Sequence, residues 1–137
     1  MTPQYMKMET TAGLAVRSLK AVALDDVLYT PDQGPFGKRK ASYRSLTAKL
    51  KPWAIVQPRN AEEVSKAVKA LLAVPGCKSA VRRGGHMAWL GANNIQDGVT
   101  IGLVLMAKPK YSPIMELARL LPGGTWTDVH YEVERRR

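Results

Sequence analysis

The chain has 137 residues, 45% of them apolar and 23% charged, a balance that suits one globular domain with a buried core. Twenty-one basic residues against eleven acidic ones leave a net charge of +10, which raises a polyanion partner as a first thought. A lone cysteine, Cys77, excludes an internal disulfide scaffold, and it has no Cys or His neighbour at metal-ligand spacing.

The positive charge is spread rather than concentrated. Residues 1–60 carry ten basic and four acidic side chains, and residues 61–137 carry eleven and seven. The densest clusters, Lys38-Arg39-Lys40 and Arg135-Arg136-Arg137, do not interleave with aromatics, so a nucleic-acid reading rests on charge alone. No segment approaches the ~20 apolar residues of a membrane helix. Arg17 and Lys20 interrupt the apolar stretch over 12–24, so no secretory pattern is read there. These features point to a soluble, unexported chain, cytoplasmic by default.

Residues 1–13 read as a loose leader. Leu14, Val16, Leu19, Val22 and Leu24 then suit a short helix leading into Val27-Leu28-Tyr29. Residues 31–40 are rich in turn formers and read as a loop, and 42–51 as a polar, irregular stretch. Trp53-Ala54-Ile55-Val56, closed by Pro58, reads as a buried strand. Asn60 then caps a helix, with Glu62 and Glu63 in its first turn. Val64, Val68 and Leu71 fall on one face with Ala67 beside them, and Pro75-Gly76 ends the helix.

Residues 79–82 suit a second strand. A loop with four glycines follows over 84–98, and then Val99-Thr100-Ile101-Gly102-Leu103, a β-branched strand with an alternating pattern. A weaker strand is expected over 117–121, with a turn at Tyr111-Ser112-Pro113 before it. Pro122-Gly123-Gly124 turns the chain into a closing helix over 125–135, with Asp128 near its start and arginines at its end. The order is strand, helix, strand, glycine loop, strand, strand, helix: an α+β, α/β-like arrangement. If the first two strands are parallel, their connection is a right-handed crossover.

The informative segment is Arg82-Arg83-Gly84-Gly85-His86. Adjacent glycines leave backbone N–H groups unshielded and permit positive φ, so successive amides can face one concavity and cradle a phosphate, with Arg82 adding charge. Glycine pairs also occur in ordinary turns, and a loop histidine is commonly just hydrogen-bonded. His130, mid-helix beside Tyr131, reads as a surface residue. Trp53, Trp89 and Trp126 read as packing residues, with Trp89 in the loop that would face a ligand.

The run from Val81 to Ile101, with its Arg82-Arg83-Gly84-Gly85-His86 start, resembles the phosphate-binding loop of the PCMH-type FAD-binding domain of vanillyl-alcohol-oxidase-type flavoproteins. It is most similar to the berberine-bridge-enzyme-like branch and its fungal members. Three further pieces fit in order. Pro52-Trp53-Ala54-Ile55-Val56-Gln57-Pro58 with Asn60-Ala61-Glu62-Glu63-Val64 resembles the first strand and helix. Asp97-Gly98-Val99-Thr100-Ile101 resembles the strand after the loop, and Leu121-Pro122-Gly123-Gly124-Thr125-Trp126-Thr127-Asp128-Val129 the second flavin-contacting turn and its helix. The resemblance covers residues 42–134. It divides the chain into a leader with a first short helix over 1–41 and a partial FAD-binding domain, the N-terminal part only, over 42–137.

The resemblance implies FAD as cofactor, with Arg82, Arg83, Gly84, Gly85 and His86 around its diphosphate. His86 would be the covalent attachment point at the flavin 8α-methyl carbon, and Gly123 and Gly124 would let the backbone approach the cofactor. Asn94, Ile95 and Val99 would shape the pocket walls. It implies hydride transfer from a small molecule, a natural product of fungal secondary metabolism, to the flavin, with O₂ as acceptor. The chain departs from the family's pattern at Arg83, where Gly or Ser is usual, and at Gly102, where an aspartate is common. Cys77 does not match the family's second flavin-linking cysteine, which lies in a later region together with the substrate domain and the catalytic base. No catalytic residue and no metal ligand is therefore assigned here. A truncated, non-catalytic remnant, or a half-domain completed by a partner chain, is the competing expectation; a basic nucleic-acid-binding module is a distant third.

Overall fold

The computed structural model describes residues 9–136. Most of the expected leader and Arg137 of the C-terminal arginine triplet lie outside these residues. Where the leader is described, it departs from expectation. Helix α1 (Thr11–Ala21) begins at once, because the Thr10 hydroxyl accepts from the Gly13 amide at 3.1 Å and caps its first turn. The helix ends through Ala23, a non-glycine residue at φ 59°, which lets the Leu24 amide reach back to the Leu19 carbonyl.

A short 3₁₀ turn (Asp25–Val27) leads into β1 (Leu28–Tyr29). Helix α2 (Gly34–Ala41) then occupies the stretch expected to be a loop. The turn formers there are a helix start. Pro35 sits in the first turn, where no N–H partner is needed, Phe36 is buried, and Lys38, Arg39 and Lys40 lie at the C-terminal end that favours cations.

Four strands form one sheet in the order β1-β2-β4-β3, with β2 spanning Ala54–Val56, β3 Ser79–Arg82 and β4 Val99–Gly102. β1 runs antiparallel to β2, while β2, β4 and β3 are mutually parallel. The chain leaves β2 through α3 (Ala61–Leu72), reaches the edge strand β3, and returns through the glycine loop to place β4 between them. That central place corrects the alternating reading of β4: all four of its residues are buried, as in a parallel strand covered on both faces.

One face of the sheet carries the apolar core. Ala54, Val56, Val99 and Ile101 pack with Ala15 and Leu19 of α1 and Ala67, Ala70 and Leu71 of α3. Burying each of the larger side chains is worth about 1.5–3 kcal/mol. The buried stripe of α3 is rotated from the expected one: Val68 is exposed, and the alanines let α1 and α3 approach closely. Asn60 accepts from the Glu63 amide at 2.9 Å, the cap expected from sequence.

Beyond β4 the chain forms a separate antiparallel hairpin, β5 (Lys110–Ser112) with β6 (Leu117–Arg119). The expected turn at 111–113 is thus the end of a strand, and the reversal falls at 113–116. Helix α4 (Trp126–Arg136) closes the described chain. Its start is fixed by Thr125, whose amide and hydroxyl both donate to the Asp128 carboxylate, at 2.8 and 2.7 Å.

Candidate functional site

In open sheets with parallel strands, ligands bind beyond the carboxyl ends of the strands. Here that edge is made by Gln57 after β2, the Arg83–His86 turn after β3, and Leu103 after β4. The sequence-predicted residues separate into two layers there. Arg82 is buried, 2% exposed, and does not face outward. Its guanidinium lies over the Tyr43 ring, 3.5 Å from the centroid, and donates to the carbonyls of Arg39 (2.9 Å) and Ser42 (3.2 Å). The charge expected beside a phosphate is therefore turned inward, where it ties β3 to the end of α2.

Gly85 lies directly over that guanidinium. It has φ +73°, and a Cβ there would come within 2.6 Å of Arg82 Nε. Only glycine serves on both counts. Gly84 and His86 are exposed, and the imidazole folds back against Gly84. Arg83 does not crowd this turn. Its Nη2 donates to the Gly124 carbonyl at 2.8 Å, a bond between residues 41 apart in sequence that joins the two glycine pairs. At Gly123 and Gly124 the missing Cβ makes room for backbone rather than for a ligand. A Cβ on Gly123 would fall 2.1 Å from the Leu103 carbonyl, and one on Gly124 2.6 Å from that of Ala107. The close approach expected toward a cofactor is made instead by the 103–107 segment.

The loop beyond His86 is held from below by the stretch expected to be irregular. The Tyr43 hydroxyl donates to the Asn93 carbonyl (2.7 Å), and the Thr47 hydroxyl to the Ala88 carbonyl (2.7 Å). Asn93 donates to the Met87 carbonyl at 2.8 Å. Asn94, 1% exposed, donates to the Ala48 and Leu50 carbonyls at 2.8 and 3.2 Å and accepts from the Thr100 hydroxyl at 2.8 Å. Asn94 and the wholly buried Val99 thus hold the fold rather than line a pocket, with Ile95 half-buried beside them. Met87, Trp89 and Leu90 stand exposed on the outside of the loop. Trp89 at 78% and Trp126 at 69% exposure are not the packing residues expected, while Trp53 is half-buried.

Two buried guanidinium nitrogens under this edge, Nε of Arg39 and Nε of Arg82, have no hydrogen-bond partner, and neither arginine pairs with a carboxylate among the described residues. Burial, and then the nearby Arg82, hold the Arg39 guanidinium below its ordinary pKa. Arg39 also donates to the Arg83 carbonyl at 3.3 Å. The edge therefore combines exposed backbone at a glycine turn with uncompensated positive charge beneath it, a combination that suits an anionic group. The cavity between Arg83, Gly124 and Trp126 is about 40 Å³, and a larger one of about 770 Å³ lies between the hairpin and α4, sharing no residue with the glycine loop. Among the described residues there is no metal-binding cluster of His, Cys, Asp and Glu, and no helix is long and apolar enough to cross a membrane.

Sequence reasoning missed Arg39, Tyr43, Thr47 and Asn93. Only the paired asparagines in a glycine-rich loop carried a local sign of their role, since amide side chains commonly satisfy loop carbonyls.

The fold is that of the FAD-binding domain of berberine-bridge-enzyme-like proteins. Phl p 4, a grass pollen allergen with glucose dehydrogenase activity, superposes with a TM-score of 0.76 at 15% identity over 90% of this chain and 27% of its own. A variant of berberine bridge enzyme described as a reticuline dehydrogenase gives 0.74 at 17% identity over 90% and 26%. The sequence is 34% identical over 119 residues to the FAD-dependent monooxygenase drtC of Aspergillus calidoustus, covering 85% of this chain and 23% of that protein. It is 32% identical over 124 residues to the FAD-dependent monooxygenase sdcF of Emericella nidulans, covering 90% and 26%. No protein-family profile matches the chain. Over most of its length the chain is thus similar to one part of fungal proteins named as FAD-dependent monooxygenases, and its fold matches the FAD-binding domain of berberine-bridge-enzyme-like proteins. It spans about a quarter of the length of the curated relatives it matches.

Proposed function

We propose that this chain contributes the diphosphate-holding edge of an FAD-linked oxidoreductase that oxidises a small molecule, a natural product of fungal secondary metabolism. The observation that carries the reading is the turn Arg83-Gly84-Gly85-His86, open at the carboxyl edge of three parallel strands above the buried guanidinium of Arg82 and the half-buried one of Arg39, neither paired with a carboxylate among the described residues. The relatives named as FAD-dependent support it.

The residues present suit the cofactor. Gly84, Gly85 and His86 would meet the diphosphate with backbone amides, while Arg82 supports them from beneath. Arg83 keeps Gly123 and Gly124 joined to the turn as one rim. His86 is exposed, and a neutral imidazole nitrogen there is the nucleophile that a covalent link to the flavin 8α-methyl carbon requires. When bound, FAD supplies the hydride-accepting centre that O₂ reoxidises; the protein binds and tunes it.

A second reading is favoured by the exposed apolar side chains, such as Ile114 at 96%. In that reading the segment is a non-catalytic remnant, or a half-domain that takes up flavin only with a partner chain to cover those side chains. The absorption spectrum of the purified chain, before and after acid precipitation, separates the two. Absorbance near ~450 nm that stays with the precipitate, and is lost in His86→Ala, establishes the covalent flavin. Release into the supernatant establishes bound but unlinked FAD. A colourless chain that fails to take up added FAD overturns the flavin-holding reading for this segment.

A further inference from the structure

A second cationic feature lies away from the glycine loop. A groove of about 270 Å³ runs between the start of α3 and the β5–β6 hairpin, lined by Arg59, Asn60 and Ala61 on one side and Lys108, Lys110 and Arg119 on the other, with Met106 and Leu121 as its apolar floor. Lys110 and Arg119 are cross-strand partners in the hairpin register. Side chains directly opposite on one face lie within ~5 Å of each other at Cβ, and like charges there destabilise the pair. The hairpin nevertheless sets two cations opposite each other and adds a third, Lys108, to the same groove.

None of the three has an ion-pair partner among the described residues. The carboxylates at the start of α3 are already engaged, Glu63 with Arg59 and Glu62 with Lys66, and Asp26 of the 3₁₀ turn also pairs with Arg59. The Ala61 and Glu62 amides, at the start of a 12-residue helix, make no hydrogen bond among those described. Three cations without ion-pair partners line one groove with the solvent-exposed start of α3, over a small apolar floor, an arrangement of mutually repelling charges that a bound dianion would stabilise.

We propose that this groove is an anion site for a phosphoryl group, held chiefly by Lys108, Lys110 and Arg119. It shares no residue with the glycine turn and does not depend on the flavin reading. Its source is either free phosphate or the diphosphate of a nucleotide.

The test is an amide chemical-shift titration of the 137-residue chain with inorganic phosphate and, separately, with ADP, each against sodium chloride of matched ionic strength. Saturable shifts at Ala61, Glu62, Lys108, Lys110 and Arg119 are expected. They should weaken about tenfold or more in Lys110→Gln/Arg119→Gln, which removes two charge-assisted contacts, and persist in Lys20→Gln. Tighter binding of ADP at the same amides assigns the site to a nucleotide; equal binding assigns it to the free anion. Without added anion, Arg119→Gln should raise the melting temperature, because it relieves the opposed charges, and should abolish the further rise given by phosphate. Shifts that chloride reproduces, shifts unchanged in the double variant, or an Arg119→Gln chain that melts lower without anion would each overturn the proposal.

Discussion

Replacing Asn94 by alanine should cost far more than the loss of one loop side chain suggests. The amide donates to the Ala48 and Leu50 carbonyls and accepts from Thr100, all under the second face of the sheet. Alanine leaves two carbonyls and a hydroxyl without partners, at about 1–3 kcal/mol for each buried group. Water at the least enclosed of them lowers the sum, so about 3–5 kcal/mol is expected, a large share of the ~5–15 kcal/mol that stabilises a domain. At this chain length that lowers the melting temperature by roughly 10–20 °C. Thr100→Val removes a single bond and should cost about 1 kcal/mol. Added to Asn94→Ala it should cost nothing further, or even recover part of the loss, because the orphaned hydroxyl disappears. Urea unfolding followed by circular dichroism measures all three variants. An Asn94→Ala cost below about 1 kcal/mol, or strict additivity with Thr100→Val, would refute the view that this amide joins the loop to the sheet.

Two further predictions concern the frame around the site. Ala23 is exposed at φ 59°, a conformation that costs a non-glycine residue about 1–2 kcal/mol, so Ala23→Gly should stabilise the chain by roughly 0.5–1 kcal/mol in the same urea assay after glycine's greater unfolded entropy is subtracted. The Arg59 guanidinium, and then its backbone amide, hold the Glu63 carboxyl below the usual carboxylate range. A depressed folded value means that this stabilisation is full above the unfolded pKa of about 4.3 and is lost as the pH falls through the folded value. Glu63→Gln keeps a hydrogen-bonding side chain but cannot titrate, so its stability should fall less steeply from about pH 5 to 3 than that of the parent chain, as followed by melting temperature.

The parts of the fold that could be read from the sequence are those in which a local rule and the tertiary structure agree. Asn60 with Glu62 and Glu63 starts a helix by its own chemistry, and Ala54–Val56 is too apolar and too short to be anything but a buried strand. The misreadings fall where distant residues decide. Residues 34–41 carry two glycines and a proline, yet Phe36 finds a buried place and the chain becomes helix. Lys110–Ser112 has no strand signal of its own and forms only because residues 117–119 lie opposite.

The same distinction explains the site. Arg82, Gly84, Gly85 and His86 stand out in sequence through their resemblance to a phosphate-binding loop. Sequence could not show that Arg82 would point inward: its partners, Arg39, Ser42 and Tyr43, lie about forty residues earlier in a stretch without pattern. Nor could it show that Gly123 and Gly124 are small because the 103–107 carbonyls press against them. An arginine that spends both of its Nη groups on backbone carbonyls and its face on Tyr43 is a brace for the turn. Its substitution should therefore loosen the loop before it weakens anion binding, which makes Arg82 a positioning residue and leaves Arg39, whose guanidinium makes one hydrogen bond of 3.3 Å among the described residues, as the less committed of the two charges beneath the glycine edge.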